Sequence, residues 1–281
     1  MGDANPRLRN PALHRYTIVV AAFALAVIIS GAYITSTEVA ARQSQSAIMG
    51  GIHEGLHRAL SIALAFLALG AAFWISFTAT LGWLRALAWT AFATLAIDAG
   101  LGWSTSPLSP TVGVFHALLA HLFLSLIVVI AVGTSSGWNR EPELVDGSSR
   151  PLLRPLAVAI PPVIFSQITL GAAYRHDLTG IMPHMAVAMG VAFLALISSS
   201  VILQNFRRPA AMRRAAIALI SIVLAQVCLG ITAFLLLLLN TAGTFYFVLA
   251  SVAHVTVGAA TLAASVLMAM QVWRSVLPKP R

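Results

Sequence analysis

The chain has 281 residues, 59% of them hydrophobic and only 9% charged; soluble domains carry about 25% charged residues, so a soluble globular protein is excluded. The net charge of +9 would invite nucleic acid, but the basic residues sit in short stretches between apolar runs and form no aromatic-basic patch. That placement is an orientation signal for a membrane protein. The single cysteine, Cys228, falls inside an apolar run and offers no internal disulfide.

Apolar runs of the length that crosses a bilayer predict spans at about 16–36, 52–78, 86–104, 112–133, 154–174, 181–203, 215–238 and 246–271. The first follows a basic start (Arg7, Arg9, Arg15), as a signal peptide would, but exceeds an h-region in length and is read as a retained span. Eight spans put both ends on one side of the membrane. Of the 17 basic residues, all but Arg42, Arg58 and Arg175 fall on the side of the termini, which makes that side cytoplasmic. Residues 133–153, rich in Gly, Ser, Pro and charge, read as a flexible cytoplasmic linker.

The linker divides the chain into an N-terminal half (1–135), the linker itself (136–153) and a C-terminal half (154–281). The halves look duplicated. His57 is followed by Phe66-Leu67-Ala68-Leu69 at the spacing that separates His184 from Phe193-Leu194-Ala195-Leu196, and Gly31-Ala32-Tyr33 echoes Gly171-Ala172-Ala173-Tyr174. The expected fold is therefore all-α: a polytopic membrane protein whose eight transmembrane helices form two pseudo-symmetric four-helix bundles.

The second span opens on Ile52-His53-Glu54-Gly55-Leu56-His57-Arg58, with Glu54 and His57 one turn apart on one face. Ionisable groups at the mouth of a membrane helix are costly, which marks them as functional candidates against the plainer reading of a headgroup anchor. His57, His116, His184 and His254 lie in spans two, four, six and eight, each near the outer end, giving one pair per half. Two imidazoles from facing helices of a bundle hold a haem iron axially, with the small residues Ala117, Ala120, Ala186, Ala188, Ala253 and Gly258 leaving room for a flat macrocycle. The plainer reading, a helix-to-helix hydrogen bond, weakens when four histidines occupy equivalent positions. Zinc or copper finds no short-spaced ligand cluster beyond His53-Glu54-His57.

Around these pairs, His53 and the Arg175-His176 dipeptide are candidates for a cofactor's propionates, since guanidinium is shaped for carboxylate; Arg58 joins them as a cofactor-binding candidate. Asp98 is a lone carboxylate deep in span three, suited to protons or polar packing. Gln167 and Gln226, each four residues before a glycine, are read as marks of close helix packing. His14 is expected to be solvated and His121 to be a packing residue.

The Glu54-x-x-His57-Arg58 motif, the four histidines on even-numbered spans, the Gln-x-x-Leu-Gly runs of odd spans and the terminal His254 together resemble the haem A synthase family of cytochrome oxidase assembly proteins, over residues 16 to 275. The resemblance implies an enzyme of the bacterial inner membrane that converts haem O to haem A by oxidising a ring methyl to a formyl group. It implies catalytic roles for Glu54, His57 and His116 beside the substrate haem, and ligation of a resident haem b by His184 and His254. It also implies haem O synthase, cytochrome oxidase or another respiratory complex as partners. Many members carry a cysteine pair in the first outer loop; residues 37–51 here have none, which leaves thiol-dependent steps without support. The alternative is a non-catalytic di-haem cytochrome or respiratory-complex subunit, which would have no need of Glu54.

Overall fold

Inside lipid every backbone N–H and C=O must find a partner within the protein, so an apolar run of this length folds as one helix. The computed structural model describes residues 10–44, 52–78, 81–104, 109–241 and 243–277. Its helices are α1 (Pro11–Ser44), α2 (Ile52–Thr78), α3 (Gly82–Ser104), α4 (Pro110–Thr134), α5 (Leu153–Arg175), α6 (Met182–Asn205), α7 (Ala210–Leu238) and α8 (Phe245–Ser275). All eight are long and apolar enough to cross a membrane, and the protein is an all-α polytopic membrane protein. Proline opens α1 and occupies the first turn of α4 and α6, where its missing N–H costs nothing. Thr244 caps α8 by accepting the Phe247 amide.

Packing follows the two halves. One core joins buried residues of α1 to α4 (Val20, Leu64, Ala72, Ile75, Ile127) and takes in Ala259 of α8; the other joins α5 to α8 (Ala195, Ile202, Met212, Leu219, Met268). The buried positions repeat in register. At the one offset that separates His57 from His184, buried Leu64, Ala68, Ala71, Ala72 and Ile75 of α2 correspond to buried Val191, Ala195, Ser198, Ser199 and Ile202 of α6. At an offset one residue longer, Leu84, Ala88, Ala91 and Leu95 of α3 correspond to Met212, Ala216, Leu219 and Val223 of α7. Phe66 and its counterpart Phe193 both face outward. Across the seam α1 packs on α8, α5 on α4, and α4 on α8, the pattern that a twofold relating the halves requires.

Two regions differ from the sequence reading. The linker is tied down rather than loose. A two-residue strand, β1 (Val145–Asp146), pairs in parallel with β2 (Val276–Leu277), and Gly147 lets the chain pass so close that a Cβ there would meet the Leu277 carbonyl at 2.6 Å. Arg274 stacks on Trp138 and donates to the Gly137 and Arg140 carbonyls, while Arg150 donates to Asn205. Nor is His14 simply solvated: it lies within α1, its Nδ1 3.0 Å from the Ala131 carbonyl in the last turn of α4, where helical carbonyls lack intrahelical partners.

Candidate functional site

Each of the four histidines leans on a glycine of the preceding helix. A Cβ placed on Gly31, Gly102, Gly171 or Gly230 would lie 3.2, 2.9, 3.0 and 2.8 Å from Cε1 of His57, His116, His184 and His254 respectively. The absent side chain is what lets the imidazole lie against backbone.

For three of the four rings, the group that holds Nδ1 stands four residues before the glycine, one turn lower. For His116, His184 and His254 it is the backbone carbonyl of Asp98, Gln167 and Gln226, at 3.2, 3.3 and 3.2 Å. For His57 it is the Ser30 hydroxyl at 2.8 Å, with the Val27 carbonyl as a second acceptor. Ser30 spends its own proton on that carbonyl, so its oxygen accepts. A carbonyl can only accept, so at His57, His116 and His254 Nδ1 carries the proton and Nε2 keeps its lone pair, the tautomer that ligates metal through Nε2. At His184 the Gln167 carbonyl at 3.3 Å asks for the same tautomer, while the Gln167 amide nitrogen stands 3.0 Å from Nδ1.

The rings meet in twos. His57 and His116 have centroids 6.2 Å apart with planes at 79°; His184 and His254 have centroids 6.2 Å apart with planes at 79°. Imidazole nitrogen binds a metal at about 2.0–2.1 Å, and the ring centroid lies about 1.1 Å behind it, so two imidazoles on opposite sides of one ion stand about 6.2–6.4 Å apart. Both pairs have that spacing. Among the described residues no three His, Cys, Asp or Glu side chains converge as a bare ion would require. Two imidazoles alone suit an iron whose other positions are filled by a porphyrin. Among the described residues, two buried amide oxygens at equivalent positions beside the C-terminal pair, Gln167 Oε1 and Gln226 Oε1, have no hydrogen-bond partner.

Polar neighbours differ between the halves. Glu54 stands half-buried in the first turn of α2, one turn before His57, where the helix N-terminus favours negative charge. Its counterpart before His184 is Ile181. His53 is exposed and meets Tyr33 edge-on at 4.8 Å, and Arg58 lies over the Trp103 indole at 5.8 Å. Arg175, expected at a cofactor edge in the C-terminal half, instead turns Nη2 across the seam, donating to Ala32 O (3.2 Å), Thr35 Oγ1 (2.5 Å) and Ser36 Oγ (2.9 Å) of α1. Beside it, His176 lies flat against Gly113 of α4. His121 is buried and bonded to the Ala117 carbonyl of its own helix, a packing role.

The sequence reading left Asp98 without a partner. Its carboxylate lies beside His116, with Oδ1 2.8 Å from Nδ1. Gln167 and Gln226 do more than pack helices, since their amide nitrogens lie against the His184 and His254 rings at 3.0 and 3.4 Å. The signal was present as a third copy: Asp98-Ala99-Gly100-Leu101-Gly102 has the Leu-Gly ending of Gln167-Ile168-Thr169-Leu170-Gly171 and Gln226-Val227-Cys228-Leu229-Gly230. No protein-family model matches the chain, and no curated protein matches it.

Proposed function

We propose that this protein is a haem A synthase-like oxidoreductase of the bacterial inner membrane, in which His57 and His116 receive haem O and His184 and His254 hold a haem b. One observation carries the haem assignment: two histidine pairs, one per half, with the same 6.2 Å separation and the same 79° angle. The division of labour rests on Glu54, which stands by one pair and has an isoleucine as its counterpart in the other.

The bound haems would supply the redox and oxygen chemistry. The protein's residues orient and tune. Nδ1 bonds to backbone carbonyls or Ser30 fix each ring and leave Nε2 to ligate. Turning a methyl into a formyl group with the oxygen taken from water releases protons along with electrons that the haems would carry away, so a base is needed near the reacting carbon. Glu54, one turn from His57 and partly solvated, is placed to accept those protons and pass them outward. The C-terminal pair, without an acid one turn before His184, serves electron passage. The basic linker side is cytoplasmic, as are both termini, and haem O synthase and cytochrome oxidase are the partners that supply substrate and take product.

Coexpression with a source of haem O tests this. Chromatography of extracted haems is expected to show haem A with the wild-type chain, and with Glu54→Gln a loss of at least about 100-fold, the scale of a lost general base, while pyridine haemochrome still reports bound haem. Protohaem alone, with Glu54→Gln indistinguishable from wild type, would instead establish a di-haem electron carrier.

A further inference from the structure

The four ligand histidines have equivalent backing residues, yet only one of these is acidic. Val27, Asp98, Gln167 and Gln226 occupy the same place, four residues before the glycine on which the ring rests. Asp98 presents two oxygens to His116 Nδ1: its backbone carbonyl at 3.2 Å and its carboxylate Oδ1 at 2.8 Å. The carboxylate is buried, 4% exposed, in a helix long and apolar enough to cross the membrane, and Oδ1 lies against His116 Nδ1. A buried anion in that setting is destabilising unless positive charge lies close by. His116 offers a route to that charge: an imidazole that ligates a ferric ion through Nε2 carries part of the ion's charge to its Nδ1–H, where the carboxylate sits. Such a carboxylate raises the basicity of the ligating nitrogen.

We propose that Asp98 is a positioning residue that makes His116 a stronger electron donor than the other three histidines and so lowers the reduction potential of the N-terminal haem relative to the C-terminal one. The proposal rests on the haem reading above. In the C-terminal half, the Gln167 amide fills the corresponding place, 3.0 Å from His184 Nδ1, without net charge, and the Gln226 amide, also neutral, lies 3.4 Å from His254 Nε2. Their neutral contacts leave the ferrous state of that haem less penalised. Within the N-terminal pair the two ligands are also unequal, since His57 leans on the neutral Ser30 hydroxyl.

The full chain, purified and loaded with haem b, is titrated potentiometrically with optical detection, using His184→Ala to assign the N-terminal haem. The N-terminal haem is expected to titrate below the C-terminal one; Asp98→Asn, which keeps the shape, shifts it upward, and Gln167→Glu, which puts a carboxylate beside His184 Nδ1, shifts the C-terminal haem downward. A role confined to packing would move neither potential. Two bound haems whose potentials stay put in both variants would overturn the proposal and leave the haem reading intact. A wild-type chain that takes up no haem with a histidine-dependent spectrum would overturn both. Should Asp98→Asn fail to retain the N-terminal haem, Gln167→Glu decides by itself: a lowered C-terminal potential supports the proposal, an unchanged one overturns it.

Discussion

At the scale of the residue, the site is made by what is missing as much as by what is present. A glycine beneath each imidazole removes the one atom that would push the ring off the backbone. The two tightest contacts, Gly102 under His116 and Gly230 under His254, have Cε1 at 2.9 and 2.8 Å from where a Cβ would stand. Contacts under 3 Å force something to move, and here the ring is freer to move than the helix. Gly102→Ala and Gly230→Ala are therefore expected to cost only about 1–3 kcal/mol of stability, the usual range for overpacking. Each should nonetheless strip haem from its own half, because a displaced ring no longer stands opposite its partner. Haem absorbance per mole of protein, read beside thermal unfolding in detergent, separates the effects. A variant that keeps both haems while its melting point falls would show the glycines to serve packing alone.

At the scale of the element, the eight spans were legible in the sequence because lipid leaves the chain little choice: a long apolar run folds as a helix. The duplication was legible through matched histidines, and the buried faces of α2 and α6 extend that match across both helices. Other features were not legible, for physical reasons. The glycine–histidine contacts join residues on different helices, and no local periodicity reports them. The pairing of β1 with β2 brings together Val145 and Val276, two short segments with no strand pattern of their own. Arg175 looked like a cofactor residue because guanidinium suits carboxylates, but the end of α5 abuts α1, whose Ala32 carbonyl and Thr35 and Ser36 hydroxyls take its Nη2 protons. Arg175→Ala leaves those acceptors facing a buried gap, and the usual penalty for an unsatisfied buried group is about 1–3 kcal/mol. It should lower the unfolding midpoint in detergent while leaving the absorbance of both haems in place. Arg175→Lys should recover little, since an ammonium on a flexible stem cannot copy the planar fork. Loss of the C-terminal haem signal in Arg175→Ala, with the midpoint unchanged, would return the residue to the cofactor.

At the scale of the whole molecule, the level of the two histidine pairs in the membrane follows from how the chain is threaded. The even-numbered helices run in one direction, and each histidine lies near its helix's start, so both pairs share one side. Arg140, Arg150, Arg154, Arg207, Arg208, Arg213, Arg214 and Arg274 gather about the linker and the ends of α6 and α8, on the other side. Positive residues favour the cytoplasmic face during insertion, so the orientation proposed above turns the pairs outward. Ser148 in the linker and Leu178 after α5 are both exposed and stand at opposite ends of α5. In a Cys228→Ser background, Ser148→Cys should react with a membrane-impermeant maleimide only when the cytoplasmic face is open, and Leu178→Cys only from outside. The converse labelling would turn the protein over. It would leave the pairing geometry untouched but place Glu54 at the cytoplasmic face, so that protons released beside His57 would leave into the cell.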